Sequence, residues 1–148
     1  MSNNTPVQAP NALVPGLALV LMAGCVAYTP ASNSSITGAV RLGNQAVPAL
    51  RICALAQDAG TTRCVRTRAG QAQYRIEDLT PGRYHVMGWL LAGELRLIAH
   101  ATSIRCIRAP CPSDRLRDVE LPAGAQLHGI DLDVPYTDVP AGWPPPPE

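Results

Sequence analysis

Apolar and polar positions follow two different patterns along the chain. Residues 11–24, NALVPGLALVLMAG, form a mostly apolar stretch without a charge. From Ser35 onward, apolar residues alternate with polar ones in runs of six to nine, and Gly, Pro, Asn or Asp punctuate the gaps. A period of two marks a strand with one buried face, because successive side chains leave a strand on opposite sides. Eight runs read this way: SITGAVRL, ALRICALA, TRCVRTR, QYRIEDL, RYHVMGWLL, LRLIAHA, RDVELP and LHGIDLDVP. Short strands with closely spaced turn signals predict an all-β fold, a sandwich or barrel.

The same period assigns faces. Ile36, Leu50, Ile52, Val65, Tyr74, Ile76, Leu79, Tyr84, Val86, Leu97, Val119, Leu121, Leu127, Ile130 and Leu132 are expected to point inward. Arg51, Arg66, Arg75, His85 and Glu120 fall on the opposite faces. On RYHVMGWLL the outward set is His85, Met87 and Trp89, which is unusually apolar for a solvated face.

Charge sharpens the division. Residues 1–40 contain no Asp, Glu, Lys, Arg or His. All twelve basic residues are Arg, and the formal net charge is +1. Such a balance offers no global field for nucleic acid, so no nucleic-acid partner is expected. The 148 residues suffice for one ordinary domain with extensions, and aromatics make up only 4% of them. A core of that modest kind gains from covalent staples.

The apolar part of the first segment is shorter than the roughly 20 residues a spanning helix needs, and it suits the h-region of a signal peptide. Met22-Ala23-Gly24-Cys25 at its end resembles a bacterial lipobox, although Met22 stands where Leu is usual and the preceding MSNNTPVQAPN carries no Lys or Arg. The resemblance implies cleavage after Gly24, acylation of Cys25 and membrane attachment through that lipid. Several acyl chains on one residue anchor stably where a single chain does not. Val26 at the next position implies the outer membrane, with the protein facing the periplasm. The expected organisation is a signal peptide over 1–24, a polar tether over 25–34, a β-sandwich over 35–136 and a proline-rich tail over 137–148.

ITGAVRLGNQAVPALRICAL, YRIEDLTPGRYHVMGW and VELPAGAQLHGIDLDV, in that order, resemble the carboxypeptidase regulatory-like domain over roughly residues 35–134. The resemblance implies a prealbumin-like, antiparallel sandwich of seven to eight strands, with Leu79 and Tyr84 packed inward around a tight reversal at Pro81-Gly82. Ala49 replaces the Gly usual in that family, and the excursion from Thr102 to Asp118 is longer than its usual link.

With Cys25 lipidated, four cysteines remain in an oxidising compartment, and three pairings are open. Register favours Cys53–Cys64: a hairpin centred on Asp58-Ala59 sets Cys53 opposite Cys64 and Ile52 opposite Val65. Proximity around Pro110 favours Cys106–Cys111. A zinc site would require the hairpin to meet the 106–111 loop, and no metal or cofactor is expected.

His85, His100 and His128 show no metal or triad spacing, and Ser113-Asp114 reads as a turn. The chain lacks the Tyr-Arg-Gly-Ser ending of the transthyretin-related hydrolase, so an enzyme is not expected. The candidate binding patch is Arg51, Arg66, His85, Met87 and Trp89, beside the Cys53–Cys64 bridge. The competing reading is that Trp89 or the tail simply covers that bridge. Four consecutive prolines in PAGWPPPPE favour polyproline II, which suits docking on an aromatic groove or a solvated end. The expected function is a non-catalytic envelope lipoprotein, its sandwich an interaction or structural module with an envelope protein or glycan partner. The alternatives are a small periplasmic inhibitor or immunity-like protein, a small-molecule binder, or a hydrolase.

Overall fold

The structure, a computed structural model, describes residues 34–58, 60–92, 96–103 and 114–148. Cys25, the signal segment, nearly all of the tether, Cys106 and Cys111 lie outside the described residues. Among the described residues every regular element is a strand: β1 (Ser34–Ala39), β2 (Leu50–Ala56), β3 (Arg63–Arg66), β4 (Gln73–Leu79), β5 (Gly82–Leu90), β6 (Leu97–Ala99), β7 (Ala101–Thr102), β8 (Arg115–Leu116), β9 (Val119–Leu121), β10 (Gln126–Leu127) and β11 (Val134–Tyr136). The first five expected runs and the seventh are present, and the sixth, LRLIAHA, splits at His100 into β6 and β7, which belong to different sheets. The eighth, LHGIDLDVP, is not one strand. It starts as β10, bridges once through Leu132 to Val40, and becomes β11 in the other sheet.

The fold is an all-β sandwich. One sheet has the order β10-β1-β4, the other β11-β6-β5-β2-β3, and β7-β8 form a separate two-stranded ladder. β5 organises the larger sheet. One of its edges pairs with β2 along Tyr84–Leu90, and the other carries β9 at Gly82–Tyr84 and β6 at Met87–Trp89. All named pairs are antiparallel except β1 with β10. Pro81-Gly82 therefore does more than reverse the chain, because β4 and β5 belong to different sheets. The Tyr84 hydroxyl ties this corner by donating to the Thr80 carbonyl at 2.7 Å.

The two sheets close on Ile36, Leu50, Ile52, Ile76, Leu79, Tyr84, Val86, Ile98 and Leu132, each buried to within 1%. Val65, Leu127 and Ile130 pack at the margins of this core and are only partly buried. Leu97 corrects the expected assignment: Ile98, opposite Gly88, points into the sandwich, and Leu97 lies on the outer face. Strict alternation would also send Leu79 outward if Ile76 is inward. A bulge resolves this. Ser34 faces Leu79 and Ile36 faces Ile76, so β4 has one residue more than β1 across that interval. Asp78 takes the extra step in the left-handed region, at φ 56°, a conformation Asp tolerates better than most residues.

At Gly38 the backbone of the β10–β11 connection approaches β1 closely. A Cβ there would lie 2.0 Å from the Ile130 carbonyl oxygen, so a side chain is excluded. The buried Tyr74 hydroxyl donates to that same carbonyl. Burial first, and the neighbouring Asp131 second, raise the Tyr74 phenol well above its ordinary range. Asp131 fixes the other side of the approach by accepting from the Ala39 amide and the Arg41 guanidinium, each at 2.8 Å.

Candidate binding face

The outer face of the larger sheet is built from rows of side chains running across the strands. β2 and β3 form the expected hairpin, with Cys53 opposite Cys64 and bonded to it, their Cα atoms 4.0 Å apart. One row reads Arg66, Arg51, Trp89, Leu97, Tyr136 from β3 to β11. The next reads Cys64, Cys53, Met87, Ala99, Val134. Leu55 and His85 stand opposite one another beyond them. Neighbouring side chains on one face of a sheet are close enough to touch, so these rows form a continuous apolar strip bounded by Arg51 and Arg66 at one end.

The structure thus brings the five expected patch residues onto one face but corrects their exposure. Met87 is fully buried and Trp89 is 7% exposed, because a second apolar layer covers them. Ala101, Leu116 and Trp143, which lie outside these rows, pack into the same apolar cluster and supply that layer. Arg66 remains exposed, and Arg51 and His85 are partly so. Strand alternation identified the face. It could not show that the same sheet is buried on both sides.

The chain's own tail contributes to this cover through Trp143, beside the β7–β8 ladder. Beyond β11, Pro140-Ala141-Gly142-Trp143 makes a tight turn, closed by the Trp143 amide donating to the Pro140 carbonyl at 3.1 Å. Gly142 sits at φ 83°, the left-handed position such a turn assigns to glycine. The turn returns the Trp143 ring edge-on to Tyr136, with centroids 4.9 Å apart and planes at 69°. The Tyr136 hydroxyl donates to Asp114 at 3.0 Å, which secures the ring Trp143 packs on.

Past Trp143 the prolines keep a period of three. Pro144 and Pro147 are partly buried, and Pro145 and Pro146 are exposed. Polyproline II has three residues per turn, so it presents positions i and i+3 to one surface. The Arg51 guanidinium grips the far end, donating from Nη1 to the Pro147 main-chain oxygen and from Nη2 to that of Glu148, both at 2.6 Å. The lengths agree. Tyr136 and Arg51 are three strand spacings apart, about 14 Å. Five polyproline II steps from Trp143 to Glu148 cover about 15 Å.

One polar atom under this cover is unmatched. The Trp89 indole Nε1 is buried and has no acceptor among the described residues. A buried donor left unpaired costs about 1–3 kcal/mol, and buried indoles usually find a partner.

At the opposite end of the face the chemistry is polar. Asp118 accepts from the Gln57 side-chain amide at 2.7 Å and pairs with His85 Nε2 at 2.9 Å. The Gln57 hydrogen bond, then that of His85, hold the Asp118 carboxyl below its ordinary range. Arg83 and Asp58 form an exposed ion pair at 3.3 Å nearby. His100 lies elsewhere and donates from Nδ1 to the Asp131 carbonyl at 2.7 Å, and His128 Nδ1 pairs with the Thr37 hydroxyl at 2.8 Å. A separate polar hollow of about 370 Å³ lies at the Asp78 bulge, lined by Ser35, Arg75, Glu77, Asp78 and Gln126. Among the described residues no three His, Cys, Asp or Glu side chains are grouped to hold a metal ion.

No protein-family model, curated protein or solved structure matches this chain.

Proposed function

We propose that this chain is a non-catalytic lipoprotein of the bacterial envelope. Lipid on Cys25 holds it at the outer membrane, and its prealbumin-like sandwich, of the carboxypeptidase regulatory-like kind, serves as an interaction module. The observation that carries this reading is the outer sheet face. An aromatic, methionine and disulfide strip, flanked by arginines, already holds an extended segment of polypeptide. Large aromatics beside Arg are the side chains on which binding energy concentrates at protein interfaces. The Cys53–Cys64 bridge agrees with an oxidising compartment such as the periplasm. The Cys106–Cys111 bridge belongs to the same proposal, as a staple for the excursion whose base the β7–β8 ladder closes.

A fractionation and a crosslinking experiment test it together. Full-length wild type should sediment with membranes, and Cys25→Ser should appear in the soluble fraction or retain its leader. Chemical crosslinking in intact cells should give a discrete adduct with an envelope component. Identical fractionation and gel mobility for Cys25→Ser would refute the anchor. A purified protein that turns over an envelope substrate would refute the non-catalytic assignment.

A further inference from the structure

The tail that crosses the outer face is held in an unusual way for a structural element. Residues 144–147 are all proline, so they have no amide hydrogen to donate and make no ladder with the sheet. Their hold consists of an aromatic contact at Trp143, two half-buried prolines three residues apart, and the two Arg51 hydrogen bonds. This is how an extended proline-rich ligand docks on an aromatic groove: ring surfaces receive alternate turns and side-chain donors take the free carbonyls. The seat is also imperfect. The Trp89 indole N–H stands on the strand next to Arg51, in direct register with it, and is buried without an acceptor among the described residues.

We propose that the outer face of β2, β5 and β6 is a recognition groove for proline-rich peptide of the form aromatic-Pro-x-x-Pro, and that the tail occupies it in cis as a displaceable self-ligand. The partner is an extended segment of another protein with that chemistry. Arg51 receives its carbonyls, the Trp89–Tyr136 row receives its ring and its two inward prolines, and a carbonyl placed over Trp89 satisfies the indole that the tail leaves unpaired. The inference rests on the interaction-module reading and names its partner class. It does not involve the lipid anchor.

The tail is tethered beside its own groove through the short Thr137–Gly142 connection, so its effective concentration there is of millimolar order and an external peptide must compete with it. This gives the test. The probe is a dye-labelled synthetic peptide, VPAGWPPPPE, titrated by fluorescence anisotropy into detergent-solubilised full chain. Wild type should bind it weakly. A full chain carrying Trp143→Ser, Pro144→Ser and Pro147→Ser should bind at least about tenfold more tightly, because the internal competitor is gone. Adding Arg51→Ala should weaken that binding by about tenfold, and a peptide carrying Pro144→Ser and Pro147→Ser should not bind. On saturation the Trp89 indole proton of the tail-substituted chain should return to its wild-type position in the NMR spectrum, because the peptide restores the cover that the tail supplies in cis.

A tail-substituted chain that melts cooperatively but binds no peptide would overturn the proposal. If Trp143→Ser prevents folding, Pro144→Ser with Pro147→Ser alone leaves the Trp143 contact in place and repeats the test. If that milder variant also loses cooperative unfolding, the tail is part of the core and the proposal fails. A wild type that is dimeric through exchanged tails, with peptide excluded at every concentration, would give the groove to a second copy instead. Because the titration is blind to Cys25, failure here and failure of the envelope reading are separable.

Discussion

Trp89→Ala asks how much the covered outer face contributes to stability. Trp89 is 93% shielded, with Arg51 and Leu97 beside it in the sheet and Trp143 in the layer above. Burying about 200 Å² of indole at about 25 cal/mol/Å² corresponds to about 5 kcal/mol. Removing the ring also removes its unpaired N–H, which returns about 1–3 kcal/mol. The expected net loss is therefore about 2–4 kcal/mol, at the lower end of the usual range for Trp truncation in a core. For a domain of this size that lowers Tm by about 10–20 °C. Trp89→Phe separates the two contributions. It keeps most of the apolar surface and deletes only the orphan donor, so its Tm should stay within about 5 °C of wild type. Thermal melts followed by near-ultraviolet circular dichroism read both variants. A Trp89→Ala protein melting within 3 °C of wild type would show that the face is solvated. Equal large losses in Trp89→Ala and Trp89→Phe would show that the indole nitrogen has a partner.

Three further outcomes follow from the fold. Replacing both Cys53 and Cys64 with Ala should cost about 2–3 kcal/mol in urea denaturation, the chain-entropy value for a short closed loop, and reduction of wild type should reproduce the loss. Gly38→Ala places a methyl 2.0 Å from the main-chain oxygen of Ile130, which cannot rotate away, so the variant should yield no cooperatively folded protein on expression and melting. The Ala39 amide first, and Arg41 next, hold the Asp131 carboxyl below its ordinary range. Its folded value lies below its unfolded one, so its stabilisation is present above the unfolded carboxylate value of about 3.9 and is lost as pH falls through the folded value. Tm measured below about pH 4 should accordingly fall less steeply in Asp131→Asn than in wild type.

Where one face of a strand meets the core and the other meets water, the sequence was readable. The inward sets of β4 and β5 were legible in YRI and RYHV, where apolar and polar residues take turns, whereas Leu79 faces inward by way of the bulge. In the hairpin of β2 and β3, where β2 is buried on both faces, turn position put Cys53 opposite Cys64. Legibility ends where a strand is buried on both sides. VMGWLL and LRLIA are apolar at nearly every position, so period two no longer sets the phase, and Leu97 and Ile98 exchange their expected faces. The Asp78 bulge and the parallel course of β10 beside β1 arise from long-range pairing, which local propensity does not encode. The tail was visible only as a proline run. Its seat became evident from Arg51 and Trp143, which are distant in sequence from one another. The signal available beforehand was PAGW, a turn able to fold an aromatic back onto the sheet it leaves.

The central claim is that Trp143 and the prolines after it lie across the outer face of β5 and β6. Nuclear Overhauser contacts in the full-length protein test it most directly. Cross-peaks from the Trp143 ring to the Tyr136 ring and Leu97 methyls, with a Trp89 indole proton slow to exchange with solvent, are the predicted result. Random-coil shifts for residues 143–148, no contact from Trp143 to Tyr136 and a rapidly exchanging Trp89 indole proton would contradict it.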